Sequence, residues 1–81
     1  MDSQHAAKEA RLLADKGDLK QALGRCDAAL ECDKLNASLY YLKASILQEL
    51  GRPEDAVQAL QSTLFLDSSF AMARVMLGAI A

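Results

Sequence analysis

The chain repeats its own pattern with an offset of 34 residues. The segment from Gly51 to Ala56 has a weaker copy from Gly17 to Ala22, and the same offset relates residues on both sides of the two segments. The further matching pairs are Ala10 with Ala44, Leu13 with Leu47, Leu30 with Leu64 and Asp33 with Asp67. A fixed period of this length is typical of repeat arrays, in which each unit buries its apolar face against its neighbours. The fold is therefore predicted from the repeating unit.

Each unit is predicted to be a pair of antiparallel helices. Apolar residues recur at spacings of three and four residues, as on one face of a helix. Gly17 and Gly51 are expected to end helices, because glycine enters the left-handed conformation without a Cβ clash. Pro53 is expected at the first position of a helix, where its missing N–H leaves no bond unmade. The predicted helices end near Lys16, Cys32, Leu50 and Leu66, and a fifth begins near Phe70.

Three polar residues are expected to cap these helices. Ser3, Asp18 and Asn36 each stand directly before a predicted helical run. In that position a side-chain oxygen can accept a hydrogen bond from the free N–H groups of the first turn. Gln21 follows Asp18 at the spacing of a capping box. A side-chain hydrogen bond is therefore expected at the start of each of these helices.

The third helix is predicted to have neighbours on two sides, because it carries two apolar stripes. These are Leu39, Ile46 and Leu50, and Tyr40, Ala44 and Leu47. Small residues that let helix axes approach closely recur at Ala10, Ala44 and Gly78 and at Ala22 and Ala56. The predicted fold class is all-α, with five helices in tandem helix-turn-helix hairpins. One domain is expected over residues 1–81, with units at about 3–36 and 37–70 and the first helix of a third unit at about 71–81.

The composition favours a small folded domain and excludes several classes of partner. Hydrophobic residues make up 52% of the 81 residues and charged residues 25%, as in globular proteins. The net charge of −2 has no basic block, so nucleic acid is not expected as a partner. No run approaches the roughly 20 apolar residues of a membrane span, and no signal peptide is evident. A cytoplasmic protein with no membrane contact is predicted.

The residues that could carry chemistry are few and poorly placed for it. His5 is the only histidine and lies at the start of a helix, where a solvated side chain is expected. Cys26 and Cys32 are six residues apart, which on one helix turns them about 240° from each other. A metal site needs three or four converging ligands. No catalytic residue, metal site or cofactor is therefore predicted, and the segment is not expected to be an enzyme.

The pattern resembles the tetratricopeptide repeat family, whose unit is a helix-turn-helix of 34 residues. The residues that carry the resemblance in the second unit are Tyr40, Lys43, Ala44, Leu47, Gly51, Ala56, Leu60, Thr63 and Asp67. Weaker copies precede and follow it, so the resemblance covers essentially the whole chain. Lys34 and Ser68 stand where the family usually has proline, and Ala6 and Arg74 where it has a large aromatic residue. These departures weaken single repeats rather than the pattern.

The resemblance implies a non-catalytic module that binds a protein or peptide partner. In this family the first helices of successive repeats line a concave groove. Carried over by position, the groove would be lined by Gln4, Ala7, Lys8, Arg11, Ser38, Tyr41, Leu42, Ser45, Met72, Val75 and Met76. The residues predicted to bind the partner are Lys8, Arg11, Tyr41, Leu42, Ser45, Met72, Val75 and Met76. The apolar anchors would be Tyr41, Leu42 and the three residues of the last helix, with a basic end at Lys8 and Arg11.

One subgroup of the family grips a C-terminal carboxylate with basic and amide side chains. Its five positions correspond here to Ala7, Arg11, Leu42, Met72 and Met76. Only Arg11 is polar, so binding of chaperone C-termini is not expected.

A narrower resemblance involves residues 64–73 and 76–78. They look like the repeat region that follows the catalytic domain in some bacterial chemotaxis-type protein-glutamate methyltransferases. None of the cofactor-binding apparatus of such an enzyme is present in this chain. The alternative function is therefore a regulatory or self-associating segment of a larger protein of that type.

The last predicted helix is unusually apolar. From Phe70 to Ala81 only Arg74 is charged, whereas repeat arrays normally end in a helix with a polar outer face. In one interpretation the chain is cut from a longer protein whose continuation covers this helix. In the other, Met72, Val75, Met76 and Ile80 form a docking surface for a partner helix or for a second copy, giving a homodimer through the last helix.

Overall fold

Five α-helices account for most of the chain in a computed structural model, which describes the backbone of residues 3–80 and the side chains of residues 5–80. They are α1 (Ser3–Asp15), α2 (Leu19–Cys32), α3 (Ala37–Glu49), α4 (Pro53–Leu66) and α5 (Ala71–Ile80). Each helix packs on the next along the chain, and α1 also contacts α3. No strand occurs within residues 3–80, and the predicted all-α fold is confirmed. None of these helices has the length and hydropathy needed to cross a membrane.

Gly17 and Gly51 end their helices in the same way. Both have a positive φ, 86° and 78°. The Gly51 N–H donates to the Gln48 carbonyl at 3.1 Å and the Arg52 N–H donates to the Leu47 carbonyl at 2.9 Å. The corresponding bonds 34 residues earlier are Gly17 to Ala14 and Asp18 to Leu13. This is the Schellman arrangement, which satisfies the last carbonyls of a helix and requires the left-handed backbone that glycine adopts at least cost.

Only one of the three predicted caps is confirmed. The Asn36 side chain accepts a hydrogen bond from the Leu39 N–H at 3.3 Å. Asp18 is the N-cap residue of α2, but its side chain makes no capping bond, so that prediction was wrong. The backbone of Asp18 is already held by its bond to Leu13 and has ψ of 68°, outside the extended conformation usual at an N-cap. The side chain of Ser3 lies outside the described residues.

The core consists of two clusters that meet at α3. Leu39, Leu42 and Ile46 of α3 belong to the first cluster, with Ala6, Ala10, Ala22, Cys26, Ala29 and Leu30. Ala44 and Leu47 belong to the second, with Ala56, Ala59, Leu60 and Ala73. The prediction that α3 has neighbours on two sides is therefore confirmed. Tyr40 was assigned to the wrong stripe, since it packs against the first cluster.

The small residues at equivalent positions lie at helix contacts in the first two units. Ala10, Ala22, Ala44 and Ala56 are fully buried. Gly78 is exposed, and a Cβ at this position would meet no described atom within 4 Å. The expectation of a close contact at Gly78 was wrong, because none of the described helices packs on that side of α5.

Cys26 joins the first cluster through both packing and hydrogen bonding. Its side chain is fully buried, and its Sγ–H donates to the Leu39 carbonyl at 3.2 Å, which links α2 to α3. The pKa of the Cys26 thiol is raised from 9.0 to about 11, mainly by burial and also by the Asp27 carboxylate, while the Lys43 ammonium lowers it. Cys32 is exposed, so the two thiols lie in different environments as expected.

We expect the buried thiol to make stability fall in alkali. The folded-state pKa of Cys26 is about 11 and its ordinary value is 9.0, so the stabilising effect is complete below pH 9 and is lost as the pH rises toward 11. Two pKa units correspond to roughly 2–3 kcal/mol of unfolding free energy. Urea unfolding at pH 8 to 11 should show a steeper decline for the wild type than for Cys26→Ala. Equal slopes would contradict the shift, since every other titrating group is shared by both proteins.

Candidate functional site

A groove of about 560 Å³ lies between α1 and α3. Its lining comes from three successive turns of α1 and from the first two turns of α3 with the residue before them. The lining residues are Ala7, Lys8, Arg11, Leu12, Asp15, Asn36, Ser38, Leu39 and Leu42. We call this the inner groove. Its volume is in the range of sites that hold small ligands or short peptide segments.

The inner groove has an apolar floor and a basic rim. Leu39 and Leu42 are buried members of the first core cluster, so they form a fixed floor. Leu12 is 52% exposed and adds apolar surface that the core does not use. Lys8 and Arg11 are exposed and one turn apart on α1.

The two cations of the rim are available to a ligand. The ion pairs among the described side chains join His5 and Arg25 to Glu9, Lys43 to Asp27, and Arg52 to Asp55. Neither Lys8 nor Arg11 takes part in these pairs. Asp15 is the one acid among the described lining residues, so these residues together carry a net positive charge in a chain whose net charge is −2.

The structure places three of the eight predicted binding residues in the inner groove: Lys8, Arg11 and Leu42. Leu42 was expected to be an anchor that reaches the partner. It is only 9% exposed, because it packs against the first cluster, and it supports the groove from below. The sequence pattern did not predict four of the lining residues: Leu12, Asp15, Asn36 and Leu39. Leu12 could have been found, since it is apolar but lies off the face of α1 formed by Ala6, Ala10 and Leu13.

The other five predicted residues lie on α3 and α5. The Tyr41 ring lies 5.1 Å from the Phe70 ring, centroid to centroid, and the Ser45 hydroxyl donates to the Tyr41 carbonyl at 3.3 Å. Met76 packs against the second cluster, as Tyr41 does. Met72 and Val75 are 57% and 65% exposed. Met72 and Val75 are therefore free to contact a partner, whereas Tyr41 and Met76 also contribute to the packing of α5.

Helix α3 carries predicted residues of both sets, those in the inner groove and those outside it. Ser38, Tyr41, Leu42 and Ser45 lie within about 100° of one another around the helix, by the 100° rotation per residue of an α-helix. One strip of α3 therefore carries Ser38 and Leu42, which line the inner groove, and Tyr41, whose ring contacts Phe70 directly before α5. We call this strip, with the residues of α1 and α5 beside it, the inner face.

No feature of the described residues suggests catalysis or metal binding. His5 is exposed, and its Nε2 lies 2.9 Å from a carboxylate oxygen of Glu9, one turn away on the same helix. Among residues 5–80, no three histidine, cysteine or acidic side chains come together as metal ligands. The buried polar side chains that are described all have hydrogen-bond partners.

Comparison with known proteins agrees with this geometry. Residues 26–58 match the family model described as "Tetratricopeptide repeat". No curated protein matches the chain. The crystal structure of the TPR domain of P58(IPK) superimposes with a TM-score of 0.93 at 27% sequence identity. The match covers 96% of this chain and 22% of that one, so the chain spans about a fifth of the length of the solved structure.

Neither of these matches supports the resemblance to a chemotaxis-type methyltransferase. Both bear on the architecture, since the family model covers α3 with the second half of α2 and the start of α4, and the superposition covers nearly all of the chain. The protein therefore has a tetratricopeptide-repeat-like fold, and both matches support its resemblance to that family.

Proposed function

We propose that the chain is a non-catalytic interaction module whose inner face binds a peptide segment of a partner protein. Tetratricopeptide repeats generally mediate protein–protein interactions, which supports the class of function. The observation that carries the proposal is the inner groove, which combines an apolar floor with two cations that have no ion-pair partner among the described residues.

The groove chemistry defines the partner segment. A carboxylate between Lys8 and Arg11 would form charge-assisted hydrogen bonds, which are about twice as strong as neutral ones. An apolar side chain next to it would cover Leu12 and the floor formed by Leu39 and Leu42. The partner is therefore a segment with at least one acidic residue beside an apolar one, in extended or helical form.

The surface beside α5 would extend the contact. Met72 and Val75 are exposed on one side of α5, and methionine adapts to partners of different shape. Tyr41, Ser45 and Met76 are only partly buried and would be contacted in part. The rigid packing of α1, α2 and α3 through the first cluster would hold the site preformed, which lowers the entropic cost of binding.

We expect reversal of the two groove charges to weaken peptide binding at least tenfold. Twelve-residue peptides would first be selected from a random display library against the wild-type chain. Their affinity for Lys8→Glu/Arg11→Glu would then be measured by fluorescence anisotropy at two salt concentrations. The control is Lys16→Glu/Lys20→Glu, which changes the net charge equally at exposed sites outside the groove. Equal affinity of acidic peptides for both variants would contradict the proposal.

The apolar part of the inner face needs a separate test. Substitution of Tyr41 or Met76 by alanine would remove a contact of the second cluster as well as a binding residue, so loss of binding would be ambiguous. Met72→Ser/Val75→Ser changes only exposed side chains of α5. We expect this variant to keep the wild-type melting temperature and to bind the selected peptides several-fold more weakly. Unchanged affinity would limit the site to the inner groove.

Self-association through α5 is a second candidate function, favoured by the exposure of Met72 and Val75. Sedimentation velocity at micromolar concentrations distinguishes it from peptide binding. A dimer that Met72→Ser/Val75→Ser abolishes would support it, and a strict monomer would exclude it at those concentrations.

Three further predictions concern where the module is located, where its repeats begin and end, and which larger protein it belongs to. A cytoplasmic location, the units at residues 3–36, 37–70 and 71–81, and attachment to a chemotaxis-type methyltransferase stay predictions from the sequence.

A further inference from the structure

Two large apolar side chains stand almost fully exposed on another part of the surface. Leu35, in the turn after α2, is 79% exposed, and Phe65, in the last turn of α4, is 88% exposed. They line one open groove of about 590 Å³ together with Lys34, Tyr40, Gln58, Gln61, Ser62 and Leu66. We call it the outer groove. Single exposed apolar residues are ordinary, but a pair across one groove marks a surface that can bind apolar groups.

The outer groove lies on the opposite side of α3 from the inner groove. Tyr40 lines the outer groove, whereas Ser38 and Leu42 line the inner one. Two residues along an α-helix correspond to about 200° of rotation, so Tyr40 points away from both of them. The two linings share no residue, which allows each groove to be altered without the other.

The outer groove continues toward the start of α4. A second furrow of about 340 Å³ shares Tyr40, Gln58 and Ser62 with it and extends to Arg52 and Asp55. The charged residues of this extension neutralise one another. Lys43 lies 2.9 Å from Asp27, and Arg52 lies 2.6 Å from Asp55.

The part of the outer groove around Leu35, Phe65 and Leu66 is its apolar end, and Lys34 is the charged residue there. Lys34 takes part in none of the ion pairs among the described side chains. The apolar end therefore carries one positive charge beside Leu35. A ligand that covers Leu35 and Phe65 while placing a negative charge near Lys34 would match both features.

We propose that the outer groove is a second docking site, which takes a short amphipathic segment of a partner protein. Apolar side chains of the segment cover Leu35, Phe65 and Leu66, and an acidic residue pairs with Lys34. The ion pairs farther along the groove offer hydrogen-bonding groups to polar residues of the segment. Because these pairs carry no net charge, the segment needs no further charged residue there. The chain would then hold two segments at once, one on each side of α3.

A second copy of the chain fits this surface less well. The exposed parts of Leu35 and Phe65 amount to roughly 300 Å², judged from the area of an aromatic and an aliphatic side chain. A stable protein–protein interface needs about 800 Å² from each partner. A twofold interface would also bring each copy's patch against the same patch, which would set the two Lys34 ammonium groups near each other. Size and charge thus both favour a short acidic segment.

The test uses a random library of twelve-residue peptides displayed on phage. The target is the 81-residue chain carrying Lys8→Glu/Arg11→Glu, which disables the inner groove. Counter-selection uses the same chain with Leu35→Ser/Phe65→Ser added, which removes peptides that bind elsewhere on the surface. We expect the enriched peptides to contain apolar residues beside an acidic one. Their affinity, measured by fluorescence anisotropy, should fall at least tenfold with Phe65→Ser and several-fold with Lys34→Glu. Lys20→Glu is the control for charge and should have no such effect.

Three results would overturn the proposal. They are a failure to enrich any peptide, equal binding of the enriched peptides to Phe65→Ser, and a dimer in sedimentation that Phe65→Ser abolishes, which would make a second copy the occupant. Both substituted side chains are exposed, so the helical circular dichroism and melting temperature should stay unchanged. The effect of Lys34→Glu on affinity distinguishes a specific site from nonspecific binding to an apolar surface, since nonspecific binding would not change with this substitution.

Discussion

Replacement of Leu60 by alanine is expected to lower the free energy of unfolding by about 3 kcal/mol. Leu60 lies in the middle of α4, is fully buried and belongs to the second core cluster, which joins α3, α4 and α5. Truncation of a buried leucine removes its transfer free energy and leaves a cavity that the neighbouring helices fill only in part. In a chain of 81 residues this is a large share of the total stability.

Urea unfolding followed by circular dichroism at 222 nm measures this effect. Leu12→Ala is the matched control, because Leu12 also lies inside a helix but is 52% exposed. We expect the control to lose no more than about 1 kcal/mol. Similar losses for the two variants would mean that Leu60 is not packed as described, and the second cluster would need to be reassigned.

Ala44→Leu and Ala56→Leu are each expected to destabilise the protein by about 1–3 kcal/mol. Both alanines are fully buried in the second cluster, one on each helix of the α3–α4 hairpin, where small side chains let the helices come close. Three additional carbon atoms at such a contact force the helices apart or the neighbouring side chains out of their preferred rotamers. The loss arises from overpacking, since leucine and alanine are both good helix formers.

Ala28→Leu is the control for this pair. Ala28 is exposed inside α2, so the same substitution there adds a side chain to the surface and should change stability by less than about 0.5 kcal/mol. Thermal and urea unfolding of the three variants would check both expectations. An unchanged midpoint for Ala44→Leu and Ala56→Leu together would contradict the close hairpin.

Local rules in the sequence predict the helices well. Positive φ at Gly17 and Gly51, Pro53 at the start of α4 and the capping bond of Asn36 all occur as expected. Each depends on a few neighbouring residues, for which backbone sterics and one hydrogen bond decide the conformation. The Asp18 cap failed because the backbone of Asp18, with ψ of 68°, lies outside the extended conformation usual at an N-cap, which side-chain preference alone does not reveal.

The inner face was predicted less completely than the helices. The 34-residue register predicts which sides of α1, α3 and α5 correspond to one another, because helix periodicity fixes the direction of each side chain. It does not give the depth of burial. Leu42 is in the floor rather than on the rim, and Tyr41 and Met76 are shared with the core, because these depend on how closely neighbouring helices approach.

The sequence by itself therefore determined the all-α repeat fold, since a 34-residue period, two glycine stops and the apolar stripes act through short-range geometry. Only the tertiary structure decided which surfaces are open. Leu12 lies beside the core in the inner groove, and Leu35 and Phe65, 30 residues apart in sequence, line one outer groove. Residues so distant along the chain come together only when α2 and α4 are placed by their packing on α3. The sequence around Leu35 or around Phe65 does not show how far apart the two side chains lie in space.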